Sequence, residues 1–188
     1  MDSINNFTFK WLNREVKIKI IKECPEIQLL TKKIGPFKKE TELKIEYWIA
    51  KILQEEEYAT LLEPVEYDIE ELLKIQWSEQ EKSKIQKIEK FFYLKTQEAI
   101  LNLLNELKNQ DNFTINTQKL QKKEKMMTIF KDIFSRRLYK ILRIASMGSK
   151  QSQFINHFTD EELELYLQLR KIIKDWMNEF VEISNKTL

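Results

Sequence analysis

A chain of 188 residues with only two glycines, Gly35 and Gly148, has few places to turn sharply and nowhere to cradle a phosphate. Phosphate-binding loops of the P-loop or dinucleotide type need two or three glycines close together, so that backbone N–H groups can approach the ligand. Gly35 and Gly148 are far apart in sequence, which excludes that chemistry. The same scarcity favours long elements. No glycine or proline interrupts Ser78 to Leu107, and Ile85, Ile88, Phe92, Ala99, Leu103 and Leu107 recur at helical steps across it. One helix through the whole span would be about 45 Å long.

The first sixty residues have a different grammar. Short alternating runs at Phe7–Trp11, Val16–Ile20 and Ile27–Thr31 are separated by turn-forming residues, which predicts short strands. Gly35 and Pro36 make a further turn, since glycine accepts positive φ and proline fixes its own. Leu43 and Ile45 then alternate with charged residues as a half-buried strand does, and from Trp48 the apolar spacing becomes that of a helix. That helix should fade in Glu55-Glu56-Glu57, where three carboxylates meet the negative end of its dipole. The apolar run Ala59–Leu62 stops at Pro64. The expectation is an α+β chain: a small β-rich domain of five strands and one helix over residues 1–63, with Trp48 pinning that helix to the sheet and Ala50 a further structural residue, then an all-α domain over 64–188.

In the second domain Asp68 can cap a short helix, and Ser78 with Glu81 has the form of a capping box opening the long one. Asn109–Asn116 reads as a polar break. A second long helix is expected from Thr117 to Met147, with Met127, Phe130, Phe134, Leu138, Ile141 and Ala145 on its core stripe and Gly148 ending it. Ser149–Asn156 is loop-like. Thr159 and Glu162 make another capping-box candidate, for a last helix through Phe180.

Catalytic chemistry has little to work with. His157 is the only histidine and Cys24 the only cysteine, each in a different expected domain, so neither a nucleophile–base pair nor a conventional zinc site is predicted. A lone cysteine, no apolar run of membrane length and a start lacking a secretion pattern suit a soluble intracellular protein. The carboxylate groups Glu55–Glu57, Glu70-Glu71 and Asp160–Glu164 read as solvated surface or first-turn helix residues, not as a magnesium or acid/base site.

Charge is segregated although its total is only +2. Ten acids face two bases between Gln54 and Lys82, and ten bases face two acids between Lys119 and Lys150. A dipolar chain of this kind can orient its encounter with a charged partner. Arg136, Lys140 and Arg143, with Arg137 beside them, form a basic stripe suited to partner contact. Leu103, Leu104 and Leu107, with Phe130 and Phe134, are expected in the helical core or a subunit interface. The close groupings Phe91-Phe92, Leu101-Leu103-Leu104 and Leu165-Tyr166-Leu167 suggest helices buried on two sides, hence a partner subunit.

One family matches the small domain. The Gly35-Pro36-Phe37 turn, the strand after it, the Tyr47-Trp48-Ile49-Ala50 helix opening and the closing Leu61-Leu62-Glu63-Pro64 resemble the small domain of GINS replication-complex subunits, in the class of the second and third Psf subunits. That family usually has proline and leucine where this chain has Glu46 and Tyr47. The run Asp132–Ile141 is similar to the family's basic helix, and Phe158-Thr-Asp-Glu-Glu-Leu163 to the entry of its final helix. The resemblance implies a small β domain preceding a helical one and a non-catalytic role without cofactor or metal. It further implies a heterotetramer with a complementary subunit of reversed domain order, and contacts with the MCM helicase and a RecJ-like protein. DNA contact would be indirect or weak, with no membrane association. It implies an archaeal, cytoplasmic protein, or a nuclear one in a eukaryote. The alternative is a stand-alone DNA-binding module using the basic helix at 119–150.

Overall fold

The computed structural model describes residues 2–30, 32–62, 67–81, 84–108, 113–147 and 154–181. The chain is α+β, and it divides into two compact units, Met1–Val65 and Glu66–Leu188.

The first unit contains α1 (Asp2–Leu12), β1 (Glu15–Ile20), β2 (Ile27–Gln28), β3 (Lys33–Ile34), β4 (Glu42–Glu46), α2 (Tyr47–Glu55) and β5 (Ala59–Leu61). β1 is the middle strand of an antiparallel sheet ordered β4-β1-β5, and Ile18 stands opposite Leu43 on one side and Leu61 on the other. Alternation places Ile18 and Ile20 on the buried face, where they meet Ile45, Ile49, Ala50, Leu53 and Ala59. β4 passes directly into α2, whose apolar side thereby covers the sheet it has just left. Glu57 at φ 58 ends that excursion, and the Tyr58 N–H donates to the Leu53 carbonyl. β2 and β3 form a separate two-stranded ladder. Beside it Cys24 and Phe37 exchange backbone hydrogen bonds of 3.0 and 2.8 Å. Gly35 makes this closure possible: its φ is +83°, and a Cβ there would lie 3.0 Å from the Pro25 carbonyl oxygen.

Three expectations for this unit are corrected. Phe7–Trp11 is helix, not strand. Within α1, Phe7 and Trp11 are one turn apart, and only Trp11 is buried, edge-on to Tyr47 with centroids 5.6 Å apart. The Arg14 guanidinium lies over both rings, 3.1 Å from the Trp11 centroid and 3.7 Å from that of Tyr47. The aromatic that anchors α2 is therefore Tyr47, while Trp48 is only half-buried at the margin of the core. The strand foreseen at Ile27–Thr31 shrinks to β2, because the chain turns at once through the Leu29 N–H to the Lys32 carbonyl; Thr31 lies outside the described residues.

The second unit contains α3 (Ile69–Ser78), α4 (Phe92–Lys108), α5 (Phe113–Ser146) and α6 (Asp160–Val181). α5 packs against the other three. One cluster joins α3, α4 and α5 around Leu72, Phe92, Leu103 and Ile133, and another joins Ile85, Ile141, Ile144 and Tyr166. Asp68 and Glu71 form the capping box of α3, with the Glu71 N–H 2.8 Å from Asp68 Oδ1.

The long helix expected from Ser78 to Leu107 is broken. Ser78 is the last residue of α3, where its hydroxyl donates to the Ile75 carbonyl at 2.7 Å instead of capping a following helix. Residues 84–89 are not helical, Phe91 has φ 62, and α4 begins only at Phe92. α5 starts at Phe113, inside the expected polar break. Gly148 and residues 149–153 of the expected loop lie outside the described residues, and the turn Phe154–His157 precedes α6. The buried stripe of α5 is Met126, Ile129, Ile133, Arg137, Lys140 and Ile144, flanked by Ile141 and Ala145. Phe134, expected in the helical core or a subunit interface, is 46% exposed.

Candidate partner surface and the buried ion cluster

Arg137 and Lys140 stand in the middle of the α5 stripe that faces inward, at the same 4-3-4 spacing as Ile133 and Ile144. Long basic side chains are tolerated there only if every charge finds a partner. Arg137 uses all five of its donors. Nε and Nη2 bind the two oxygens of Glu162 at 2.6 and 2.7 Å, Nη1 donates to Glu79 Oε1 and to the Gln86 carbonyl, and Nη2 also reaches the His157 carbonyl at 3.3 Å. Lys140 Nζ donates to Glu79 Oε2 at 2.5 Å and to the Glu79 carbonyl at 3.0 Å. The Tyr93 hydroxyl donates to Glu162 Oε1. Two cations and two carboxylates thus neutralise one another out of water. Burial alone would lower the Arg137 guanidinium, but the hydrogen bond and charge of Glu162, with the charge of Glu79, raise it above its ordinary value.

This cluster explains the break between α3 and α4. The Gln86 N–H donates to Glu79 Oε1 at 3.1 Å and its carbonyl accepts from Arg137. His157 Nδ1 donates to the Ile85 carbonyl at 2.8 Å, and the Ile85 side chain fills the second core cluster. In a helix these backbone groups would bond one another. Here the Gln86 groups complete the coordination of buried charge, where each hydrogen bond is worth about 1.5–3 kcal/mol, above a neutral pair, while the Ile85 carbonyl serves the His157 ring. Glu162 also accepts from the Thr159 N–H at 2.9 Å while its own N–H reaches the Thr159 hydroxyl at 3.3 Å, the capping box expected for α6.

The basic stripe is accordingly corrected. Arg137 and Lys140 are interior residues and face no partner. Arg136 remains at the surface, with Nε 2.7 Å from Asp132, which also accepts from Gln76 at 2.8 Å; Arg143 is half-buried. The Asp132 carboxyl is held below its ordinary value, by Arg136 first. The reading of the first-turn acids of α6 as solvated surface fails at Glu162, which is buried, as is Glu79. Leu103 belongs to the α4–α5 core, while Leu104 and Leu107 are half-buried. Of the expected two-sided apolar groups, Phe92 and Tyr166 are buried, whereas Leu101 and Leu167 are exposed. Tyr139 and Leu142 add exposed apolar surface to α5.

Among the described residues no three His, Cys, Asp or Glu side chains converge as a metal site would require, and no helix is long and apolar enough to cross a membrane. Compared with family models and with curated proteins, the chain matches none.

Proposed function

We propose that this chain is a non-catalytic subunit of a GINS-type replication complex, an accessory and activating factor for an MCM helicase. The observation that carries the reading is the segment from Gly35-Pro36-Phe37 through Tyr47-Trp48-Ile49-Ala50 to Leu61-Leu62-Glu63-Pro64, set in a small domain that precedes a helical one. The buried charges of the helical unit are spent on one another, which supports a scaffold more than a reaction centre. On this reading the helicase supplies ATP hydrolysis, and the chain contributes surface: Arg136 and Arg143 as polar contacts, with the exposed Phe134, Tyr139 and Leu142 as apolar ones. The partner is a subunit of reversed domain order, and the assembly joins the helicase and a RecJ-like protein at the fork.

The test is light-scattering mass of the chain co-purified with a reverse-order subunit from the same genome. A complex of two plus two chains supports the proposal, and Arg136→Glu with Arg143→Glu should weaken it while leaving helicity unchanged. A chain indifferent to that subunit removes the reading. Exposed Lys122, Lys125 and Lys131 on α5 favour, as second reading, direct nucleic-acid contact. DNA affinity falling steeply with salt would select it.

A further inference from the structure

We infer that the C-terminal end of α6 is a self-association surface that takes the same segment of a second copy, antiparallel. Two contacts fix how α6 lies on α5. Arg137 meets Glu162, and Arg170 Nη1 reaches the Ala145 carbonyl at 3.5 Å; both pairs are 25 residues apart, so the helices run parallel and in step. On that register the last residue of α5, Ser146, stands level with Lys171. Among the described residues, Ile172 to Val181 therefore extend past the end of α5 for about 15 Å at 1.5 Å per residue, with Ile173 still packed on the cluster.

The overhang is not polar. α6 packs on α5 through Tyr166, Leu169 and Ile173, and the same 3-4 spacing continues through Trp176 and Phe180. Ile172 and Met177 widen the stripe. These side chains are 64% (Ile172), 63% (Trp176), 49% (Met177) and 60% (Phe180) exposed, and the Trp176 and Phe180 rings lie against each other with centroids 5.3 Å apart. The seam that holds α5 thus outlasts α5.

Geometry selects the occupant. A second α6 laid parallel on this face would place its own first half where α5 already lies. Laid antiparallel, each packed half points away from the other, and each overhang fills the space past the other copy's α5. The two segments are equal in length by identity, so the pair closes on a two-fold axis near Trp176 and leaves no free end to propagate. Four large apolar side chains per copy, two of them aromatic, bring the buried area to about the 1,000 Å² at which specific interfaces begin. Association at micromolar concentration is expected. The inference stands on this geometry and is independent of the proposed replication role.

The whole chain alone, over a concentration series from low to high micromolar in sedimentation equilibrium, should rise from the mass of one chain to that of two. Trp176→Glu with Phe180→Glu should remain at one, with unchanged far-ultraviolet circular dichroism; Leu167→Glu, exposed off the stripe, should still dimerise. Mixing Ile172→Cys with Phe180→Cys chains should give an oxidised mixed dimer in preference to either same-site dimer. A mass of one chain throughout, a dimer that survives the double glutamate variant, or preferential same-site cross-links would overturn the inference.

Discussion

Glu162 takes two N–H groups from a single guanidinium, Arg137 Nε at 2.6 Å and Nη2 at 2.7 Å, while the same carboxylate caps its own helix through the Thr159 N–H at 2.9 Å. The start of α6 and the middle of α5 are thus fastened through one side chain. Glu79 does the equivalent work for the end of α3, and Gln86 for the chain leading to α4.

Removing Arg137 leaves Glu79 and Glu162 facing each other's surroundings without their shared cation. Arg137→Ala is expected to cost about 3–5 kcal/mol in urea unfolding, as when one partner of a buried pair is lost. Arg136→Ala, at a partly exposed pair with Asp132, should cost under about 1 kcal/mol. Equal losses for the two would mean that the buried cluster is solvated.

Tyr93 gives the cluster a pH dependence. Burial, then the charge of Glu162, pushes its hydroxyl well above the ordinary tyrosine range. An unfolded tyrosine releases its proton near pH 10. Above that the unfolded chain binds fewer protons than the folded one, so stability contributed by Tyr93 is fully present below about pH 10 and falls as pH rises beyond it. Tyr93→Phe should cost about 1.5–3 kcal/mol at pH 8, for a hydrogen bond to a charged acceptor. The gap between wild type and variant should narrow toward pH 11. A constant gap would remove the hydroxyl from the account. Tyr67, raised by burial and then by its hydrogen bond to Glu89, keeps its own share of the alkaline slope in both proteins.

The parts legible in the sequence are those whose physics is local. Alternation marks β1 and β4, the change of period at Trp48 marks α2 within a residue, and the cap at Asp68 and the capping box at Thr159 mark the starts of α3 and α6. The break at residues 84–89 was not legible, because its cause is an arginine some fifty residues later, 51 from Gln86, whose buried charge recruits backbone groups that would otherwise serve a helix. Reading Arg137 and Lys140 as solvent-facing has the same origin. A signal did exist: the positions four before and seven after Arg137, Ile133 and Ile144, are both apolar, which sets a cation in the core line of α5. Phe7–Trp11 misled because alternation over five residues also satisfies one turn of helix, and only Trp11 has a ring to meet.

The two capping motifs differ in a way that mutation can expose. Asp68 accepts from the Glu71 N–H at 2.8 Å while Glu71 returns the bond to the Asp68 N–H at 3.0 Å. Asp68→Ala should cost about 1 kcal/mol. Ser78 bonds only backward, to Ile75, and caps nothing, so Ser78→Ala should change stability by less than about 0.5 kcal/mol. A loss at Ser78 as large as that at Asp68 would indicate that a helix starts there after all.

In the first unit the contrast lies between adjacent aromatics. Tyr47 is 3% exposed, edge-on to Trp11 and under the Arg14 guanidinium, so truncation removes a buried ring and both of these contacts. Tyr47→Ala should cost about 3–5 kcal/mol, the range of buried aromatic truncations. Trp48 lies at the edge of the Ile18–Leu53 cluster with part of its ring in water, and Trp48→Ala should cost less than Tyr47→Ala. Because α1 meets the rest of its unit through the same stack, Tyr47→Ala should also expose α1 to amide exchange before the sheet β4-β1-β5 opens. If Trp48→Ala proves the more damaging, or if α1 retains its protection, the stack of Trp11, Arg14 and Tyr47 is not what holds α1 to the sheet.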